Sequence, residues 1–547
     1  MNYQGICKVI GNYFFLLAFF LAVGWAVSFY YAHKALPYTQ TDTGPAFALT
    51  LCLTLLLGIV LKNFSKKSDQ PLFLREAIVS VLSIWIITVV ITALPFILSG
   101  TFTNFFDALF ESTSGLTTTG ASIAHAKTYN QSGQEIPITK VFHGFQEIKY
   151  TFYGTVKPVR DPLSGEIVLS GVEAIPQALL FWRSFLQFIG GLGMVLLFIA
   201  LLPALGHQGR ILFRYEATGP SFSPLFPQVR KTAIVLISIY LLLNAACIIS
   251  LMFTNDTLSL MEAFNISSCA IATGGFSTKN ASIAGYHNVW TEIVAMVFMI
   301  LGATNFALYY DIYKGRLGRL LQPEVVVFLS ILLGSSVIVS VDITGSQIQS
   351  LTNSAPNASY TFLEALRYGS FQVISAMTTT GFATANYDQW PPLSQSIMLI
   401  LMYLGGMAGS TAGGFKIIRL CILLACFKST IQSIFDRNEV RIIRVGKREI
   451  TAETINGVLC FLLILLFSSL VGILLLVTLE VDLETAFGLN ACMINNSGAA
   501  FRMAGPLESC AFLSNASKVI CMIWMLLGRL EFYIWFTLFL PSFWRIR

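Results

Sequence analysis

The stretch TFLEALRYGSFQVISAMTTTGF, residues 361–382, reads as a short apolar helix that runs into a turn of Thr and Gly. A bilayer core of about 30 Å needs about 20 helical residues, and the apolar part, 361–377, falls short of that. Such a segment in an apolar chain reads as re-entrant or interfacial. Three further undersized segments lie at 104–116, 258–271 and 483–494. Each ends in a related motif. In chain order the four are Thr117-Thr118-Thr119-Gly120-Ala121, Ala272-Thr273-Gly274-Gly275-Phe276, Thr378-Thr379-Thr380-Gly381-Phe382 and Asn495-Asn496-Ser497-Gly498-Ala499. Their glycines stand 155, 106 and 117 residues apart. Removing roughly 50 residues of one polar loop makes the first spacing match the others, so the chain reads as four copies of a helix, short helix, loop and helix unit. An acid lies near the start of each short helix: Asp107, Glu262, Glu364 and Glu484, placed 13, 13, 17 and 14 residues before the glycine. The third helix is therefore one turn longer. An acid at that end gains about 0.3–1 kcal/mol from the helix dipole, and the four are read as caps, not ion ligands.

The rest of the chain supplies a membrane for these segments. Of 547 residues, 55% are hydrophobic and 11% charged, against about 25% charged in soluble chains. Apolar runs near spanning length occur at about 12–31, 46–61, 77–99, 179–203, 233–253, 290–310, 324–341, 394–408, 453–478 and 517–540. The first is about 20 residues, longer than the 7–15 of a signal-peptide core, so it reads as a retained helix. The net charge of +6 is scattered over short loops, which argues against a nucleic-acid partner. The ten cysteines form no C-x-x-C pair and sit mostly in apolar runs. They read as small hydrophobes, with no metal or disulfide framework.

Basic residues set the orientation. Lys62, Lys66, Lys67 and Arg75 follow the second run. Arg210, Arg214, Arg230 and Lys231 follow the fourth. Lys314, Arg316 and Arg319 follow the sixth. Lys428, Arg437, Arg441, Arg444, Lys447 and Arg448 precede the ninth. The intervening loops 33–45 and 342–360 carry only Lys34 between them. The basic loops are then cytoplasmic, and all four short segments enter from outside. One outer loop, 122–178, is a polar stretch of 57 residues with five basic and five acidic groups. Its turn chemistry at Arg160-Asp161-Pro162-Leu163-Ser164-Gly165 predicts a small external subdomain or hairpin. Balanced charge names no partner for it, and long loops tolerate insertion, so it reads as decoration.

Physics gives the repeated unit a use. A short helix entering from outside points its C-terminus, about half a negative charge, at the membrane centre. The loop after it leaves carbonyls free, which is tolerated at that depth only where a cavity or protein surrounds them. Four such loops about one axis make rings of oxygens that can replace an ion's hydration shell. Glycine turns carbonyls inward because positive φ costs it nothing. No ring of carboxylates accompanies them, which disfavours a divalent cation. The chain is thus read as an all-α integral membrane protein. Two N-terminal helices (1–75) precede four repeats around one pore: 76–231 with the insertion 122–178, 232–323, 324–450 and 451–547.

At these motifs the chain resembles the Trk/Ktr/HKT superfamily of potassium transporters, most closely its bacterial TrkH type. Asp107 to Ala121, Gly275-Phe276-Ser277-Thr278, Thr378 to Gly381 and Leu526 to Glu531 carry the likeness. The resemblance implies potassium uptake across a bacterial inner membrane through a channel-like pore, with the mouth facing the periplasm. It implies four M1–pore loop–M2 repeats per subunit, a homodimer, and a cytoplasmic nucleotide-binding regulatory subunit. It places the selectivity filter at Thr118, Thr119, Gly120, Thr273, Gly274, Gly275, Thr379, Thr380, Gly381, Asn496, Ser497 and Gly498. Potassium is then the permeant ligand there, and no organic cofactor is expected. Gly120 fits potassium, since a serine there marks sodium-preferring plant members. The fourth motif departs from the family, which tends to have Gly-Pro-Gly after the asparagines, so the rigidity of that quarter and the strength of selectivity stay open.

Two more elements match. Leu404 to Gly414 has five glycines in eleven residues, each costing a helix about 1 kcal/mol relative to alanine. It should break the third M2 helix, and small residues there could also serve close helix packing. In the family this stretch is the intramembrane gate, here Gly405, Gly406, Gly409, Ser410, Thr411, Gly413 and Gly414. Arg529 falls mid-helix, where a charge costs about 2.5–3.5 kcal/mol, so it should face the bundle interior. The resemblance makes it a barrier under the filter; an ion pair with another helix is the other reading. Glu531, two positions on, faces elsewhere.

Ion-coupled symport with H⁺ or Na⁺, or weakly selective K⁺/Na⁺ conduction, are the rival functions. Proton coupling usually needs an acid or His in the path, and Glu531 is the sole one seen near filter level. His33, His125, His143, His207 and His287 lie in loops or at helix ends without an H-x-x-x-H pattern, which disfavours an enzyme. A solute carrier usually shows inverted repeats, whereas these four share one orientation.

Overall fold

The computed structural model describes residues 1–34, 40–65, 73–143, 147–161, 164–204, 229–347, 359–435, 442–446, 448–498, 500–530 and 532–544. Lys66, Lys67, Arg210, Arg214, Arg437, Arg441, Lys447, Ala499 and Glu531 lie outside them, as does most of the loop 342–360. The long apolar runs are helices: α1 (Tyr3–His33), α2 (Gly44–Phe64), α3 (Leu74–Leu98), α5 (Gln177–Ala204), α6 (Val229–Thr254), α8 (Val289–Ala303), α10 (Pro323–Ile343), α14 (Ala452–Thr478) and α16 (Asn515–Arg529). Among the described residues, seven helices are long and apolar enough to cross a bilayer, and up to nine if each bent pair counts as one. One such pair is α8 with α9 (Phe306–Tyr313), bent by 92°.

The undersized segments are α4 (Phe105–Leu116), α7 (Leu260–Ile271), α11 (Phe362–Met377) and α15 (Leu483–Asn495). Side chains of Asn104, Ser259, Thr361 and Asp482 cap them by accepting a first-turn amide. Helix α11 has 16 residues against 12 in α4 and α7, the extra turn that the spacing required. Each short helix packs within its own repeat and also against the helix that follows the short helix of the preceding one: α4 on α16, α7 on α5, α11 on α8, α15 on α12 (Pro392–Tyr403). That cyclic order closes four repeats into a ring. Helices α1 and α2 pack outside the first repeat, against α3.

The run read at 394–408 is not one span. Its helix, α12, stops at Tyr403, and after the glycine-rich stretch a second helix, α13 (Ile417–Phe435), begins. Helix α13 is itself among the spanning candidates and is absent from the ten apolar runs. Its polar residues, Arg419, Lys428, Ser429 and Thr430 among them, dilute the apolar signal. The insertion carries three of the four two-stranded hairpins among the described residues: β1 (Thr128–Tyr129) with β2 (Glu135–Ile136), β3 (Ile138–His143) with β4 (Glu147–Phe152), and β5 (Val159–Arg160) with β6 (Ile167–Leu169). Short helices are wrapped by neighbours, while the long ones turn Leu242, Leu333 and Phe467 outward. Apolar side chains on the periphery suit a lipid solvent.

Candidate ion-conduction site

Each short helix ends three or four residues before its aligned glycine, and the chain then alternates in hand. Thr118, Thr273, Thr379 and Asn496 take φ of 53°, 54°, 55° and 54°; Gly120, Gly275, Gly381 and Gly498 take 84°, 78°, 85° and 89°. A left-handed residue two places before a left-handed glycine directs successive carbonyls to one side of the strand. Three of these residues are threonines, for which positive φ is a genuine outlier that costs about 1–3 kcal/mol each. Matching hydrogen bonds hold the shape: Thr119 N to Ser114 O at 2.9 Å, Gly274 N to Cys269 O at 2.7 Å, Thr380 N to Ser375 O at 2.9 Å and Ser497 N to Cys492 O at 3.0 Å. The fourth loop, whose sequence departs most, keeps the same backbone.

The loops touch in ring order. A Cβ on Gly120 would lie 2.0 Å from the carbonyl oxygen of Gly274, and one on Gly275 would lie 2.0 Å from that of Thr380. A Cβ on Gly498 would come within 2.5 Å of Gly381 Cα. Asn496 Nδ2 closes the circle by donating to Thr119 Oγ1 at 2.8 Å. Glycine is thus required by contact as well as by φ. Several buried oxygens around this ring, Thr118 Oγ1, Asn495 Oδ1, Asn496 Oδ1 and Ser497 Oγ, have no hydrogen-bond partner among the described residues.

The acids of the short helices divide into two kinds. Glu262 and Glu364 complete capping boxes with Ser259 and Thr361. Asp107 instead pairs with Lys518 at 2.6 Å, and Glu484 with Arg502 at 2.7 Å. The expectation of four caps is corrected for these two. Asn104 and Asp482 already cap their helices, so the carboxylates are free to tie neighbouring segments together.

Beneath the ring lies the broken helix. Gly405 N donates to Phe415 O and Phe415 N to Tyr403 O, both at 2.9 Å, pinching 404–416 into a loop. Gly409 and Gly414 take positive φ. A Cβ on Gly406 would meet Ala303 O at 2.7 Å, and Ser410 Oγ donates to Met407 O at 2.6 Å. Thr411 Oγ1 reaches Ile271 O at 2.6 Å, at the end of α7. Gly413 N donates to Thr379 Oγ1 at 2.8 Å. The loop is therefore suspended from the second and third re-entrant loops. Arg529 is 1% exposed; it faces the bundle interior and donates to Thr411 O at 2.8 Å and Gly190 O at 3.1 Å. Among the described residues these carbonyls, not a carboxylate, hold it.

Sequence reasoning missed three charged groups here. Glu324, buried at the start of α10, accepts from Ala408 N at 2.7 Å. Lys416 Nζ donates to Ala412 O. Arg419 lies 3.7 Å over the Phe461 ring. A cavity of about 20 Å³ is bounded by Gly413, Lys416, Arg419, Asn495 and Arg529. A Lys and an Arg three apart, directly after a glycine run, were the available signal.

Above the ring, a vestibule of about 380 Å³ is lined by Gly120, Gly275, Gly381 and Gly498 and rimmed by His125, Lys279 and Glu508. The insertion is not a detached decoration. Tyr150 donates to Asp482 Oδ1 at 2.6 Å and accepts from Asp482 N at 2.8 Å. Lys140 pairs with Glu508, and Cys510 N donates to Ser122 O at 2.9 Å. These contacts fasten the insertion to the cap of α15 and to the chain beyond the fourth loop.

The family model for TrkH, a cation transport protein, matches residues 162–546. The chain belongs to the TrkH cation transport family. Similar curated relatives are the Trk system potassium uptake protein TrkH of Salmonella typhimurium, 28% identical over 100% of both chains, and its namesake from Halomonas elongata, 30% identical over 91% of this chain and 92% of that one. Trk system potassium uptake protein TrkG of Escherichia coli is 29% identical over 91% of each. In fold, the crystal structure of the potassium transporter TrkH from Vibrio parahaemolyticus superposes with a TM-score of 0.78 over 100% of both chains at 24% identity. A multi-spanning TrkH-type architecture thus accommodates the hairpins at the mouth.

Proposed function

We propose that this chain takes up potassium through a gated, channel-like pore whose filter is the ring of four loops. The observation that carries this reading is the shared backbone: a left-handed residue and a left-handed glycine, two apart, in each of four touching loops. Such loops stack carbonyl rings that replace a monovalent ion's hydration shell. Four helix C-termini add negative potential without a fixed carboxylate. The ion-binding set is Thr118 to Gly120, Thr273 to Gly275, Thr379 to Gly381 and Asn496 to Gly498. The stretch Gly405 to Gly414 and Arg529 form the gate beneath it. The repeats run over 76–231, 232–323, 324–450 and 451–547, after two helices in 1–75.

The protein sits in a bacterial inner membrane with the vestibule facing the periplasm, and inward flow follows the membrane potential, about 2.3 kcal/mol per charge per 100 mV. It acts as a homodimer on a cytoplasmic nucleotide-binding subunit, as the resemblance to the Trk/Ktr/HKT superfamily implies. Growth of a potassium-uptake-deficient bacterium on low potassium tests the function. Rescue by wild type is expected; failure of membrane-inserted protein to rescue overturns it. Glu324 favours one second reading, proton-coupled uptake, because it is a buried carboxylate bonded to the gate loop. A reversal potential that moves with the proton gradient alone selects that reading.

A further inference from the structure

The four loops are not built alike behind the ring. At the middle motif position, the first, third and fourth loops carry Thr119, Thr380 and Ser497, whereas the second carries Gly274 ahead of Gly275. Two consecutive glycines leave that quarter with the most backbone freedom. A side chain from α5 supplies what the loop lacks. Gln187 Nε2 donates to Gly274 O at 2.6 Å, and Gln187 Oε1 accepts from Phe276 N at 3.2 Å. One buried amide thereby fixes the peptides on both sides of Gly275. A Cβ on Gly274 would lie 2.5 Å from Gln187 Cδ, so residue 274 is held to glycine while Gln187 occupies this place.

One helical turn earlier on the same face, Arg183 continues the support. It donates to Ser277 O at 3.1 Å and pairs with Glu111 at 2.6 Å, with side chains 2% and 0% exposed. Glu111 in turn accepts from Ile123 N at 2.9 Å, just beyond the first loop. Equivalent positions on other M2 helices follow from a shared contact. A Cβ on Gly190, Gly302 or Gly528 would approach Leu116 O, Ile271 O or Ile494 O, the same carbonyl of three short helices. Counting back from these glycines, Gln187 corresponds to Met299 and Met525, and Arg183 to Ala295 and Cys521. Each M2 helix packs against the short helix of the next repeat. Met299 and Met525 therefore accompany Thr380 and Thr119, while Gln187 accompanies Gly274.

We infer that Gln187 is a specificity-determining positioning residue: its amide replaces, for the second loop, the stiffness that the β-branched Thr119 and Thr380 give the first and third. Methionine with threonine, and glutamine with glycine, are then two interchangeable solutions to one packing problem. The inference rests on the filter reading above and deepens it.

The test is the reversal potential of purified protein in liposomes under a K⁺/Na⁺ bi-ionic gradient, which reports selectivity independently of how much protein is active. Gln187→Met should keep measurable flux and lower the K⁺/Na⁺ permeability ratio roughly fivefold, the factor for one ordinary hydrogen bond. The double variant Gln187→Met/Gly274→Thr should return the ratio to within about twofold of wild type, well inside one hydrogen bond's effect. Gln187→Leu, which removes both bonds without adding a charge, should show the same loss and serves if Gln187→Met fails to fold. A wild-type ratio in either single variant, or a double variant no better than Gln187→Met, overturns the inference while leaving the filter reading intact. A wild type without K⁺ preference overturns both.

Discussion

The guanidinium of Arg529 donates to the carbonyl of Thr411 at 2.8 Å, and Thr411 Oγ1 donates to the last carbonyl of α7, Ile271 O, at 2.6 Å. The cation under the ring and the glycine-rich loop proposed as the gate are therefore one mechanical unit. A unit charge ~10 Å from a permeating ion, at an effective dielectric of about 20, opposes it by about 1.7 kcal/mol. Replacing Arg529 with Met should raise ⁸⁶Rb⁺ flux into liposomes roughly tenfold. Flux at or below wild type, from protein that elutes as folded, would make Arg529 a structural strut alone.

Glu324 tethers the same loop from the other side through Ala408 N. Gln can accept that amide and Leu cannot, which leaves a buried donor unpaired at a cost of about 1–3 kcal/mol. Glu324→Gln should keep wild-type flux, whereas Glu324→Leu should raise basal flux several-fold. Equal behaviour of the two variants would show that the carboxylate does not act through this bond.

The short helices were legible in the sequence because length, acid, Thr-Gly motif and spacing recur four times, and no one of these had to be trusted alone. Their bounds follow the apolar segments within a residue or two. The broken helix was legible at Leu404–Gly414 because glycine density is a local property. Helix α13 was not, since Arg419 and the hydroxyls after it dilute its hydropathy. Nor were Glu324, Lys416 and Gln187, whose partners lie 84, 4 and 87 residues away in the chain. Only Lys416 has a local signal. The insertion misled for a related reason: balanced charge hides a contact made by one tyrosine hydroxyl on Asp482.

That contact sets a stability prediction. Tyr150→Phe removes both hydrogen bonds to Asp482, one of them to a carboxylate. The loss should be about 1–3 kcal/mol, read as a fall of a few degrees in the apparent Tm in detergent. An unchanged Tm would mean that the insertion does not brace the fourth repeat.

Asp388, in the outer segment after the third loop, accepts from Arg502 N at 2.6 Å. Burial pushes its carboxyl from an ordinary 3.8 up to about 6, against the pull of Arg502. The folded protein thus holds a proton that the unfolded chain releases. Its contribution is fully present below about 3.8 and is lost as pH rises through about 6. Apparent Tm of wild type should carry a component that falls across that window, and Asp388→Asn should flatten it. Identical pH profiles for the two proteins would contradict the assignment.

The central claim is that four touching loops select potassium. Gly120 is the sharpest point at which to probe it, because its φ is 84° and a Cβ would fall 2.0 Å from Gly274 O. The direct measurement is the bi-ionic K⁺/Na⁺ reversal potential of wild type beside Gly120→Ser and Gly381→Ser. Wild type should reverse far from zero, as a large K⁺/Na⁺ permeability ratio requires, and both variants should move toward zero while still conducting. Variants that conduct with the wild-type reversal potential would remove these glycines, and the ring they close, from the selective path.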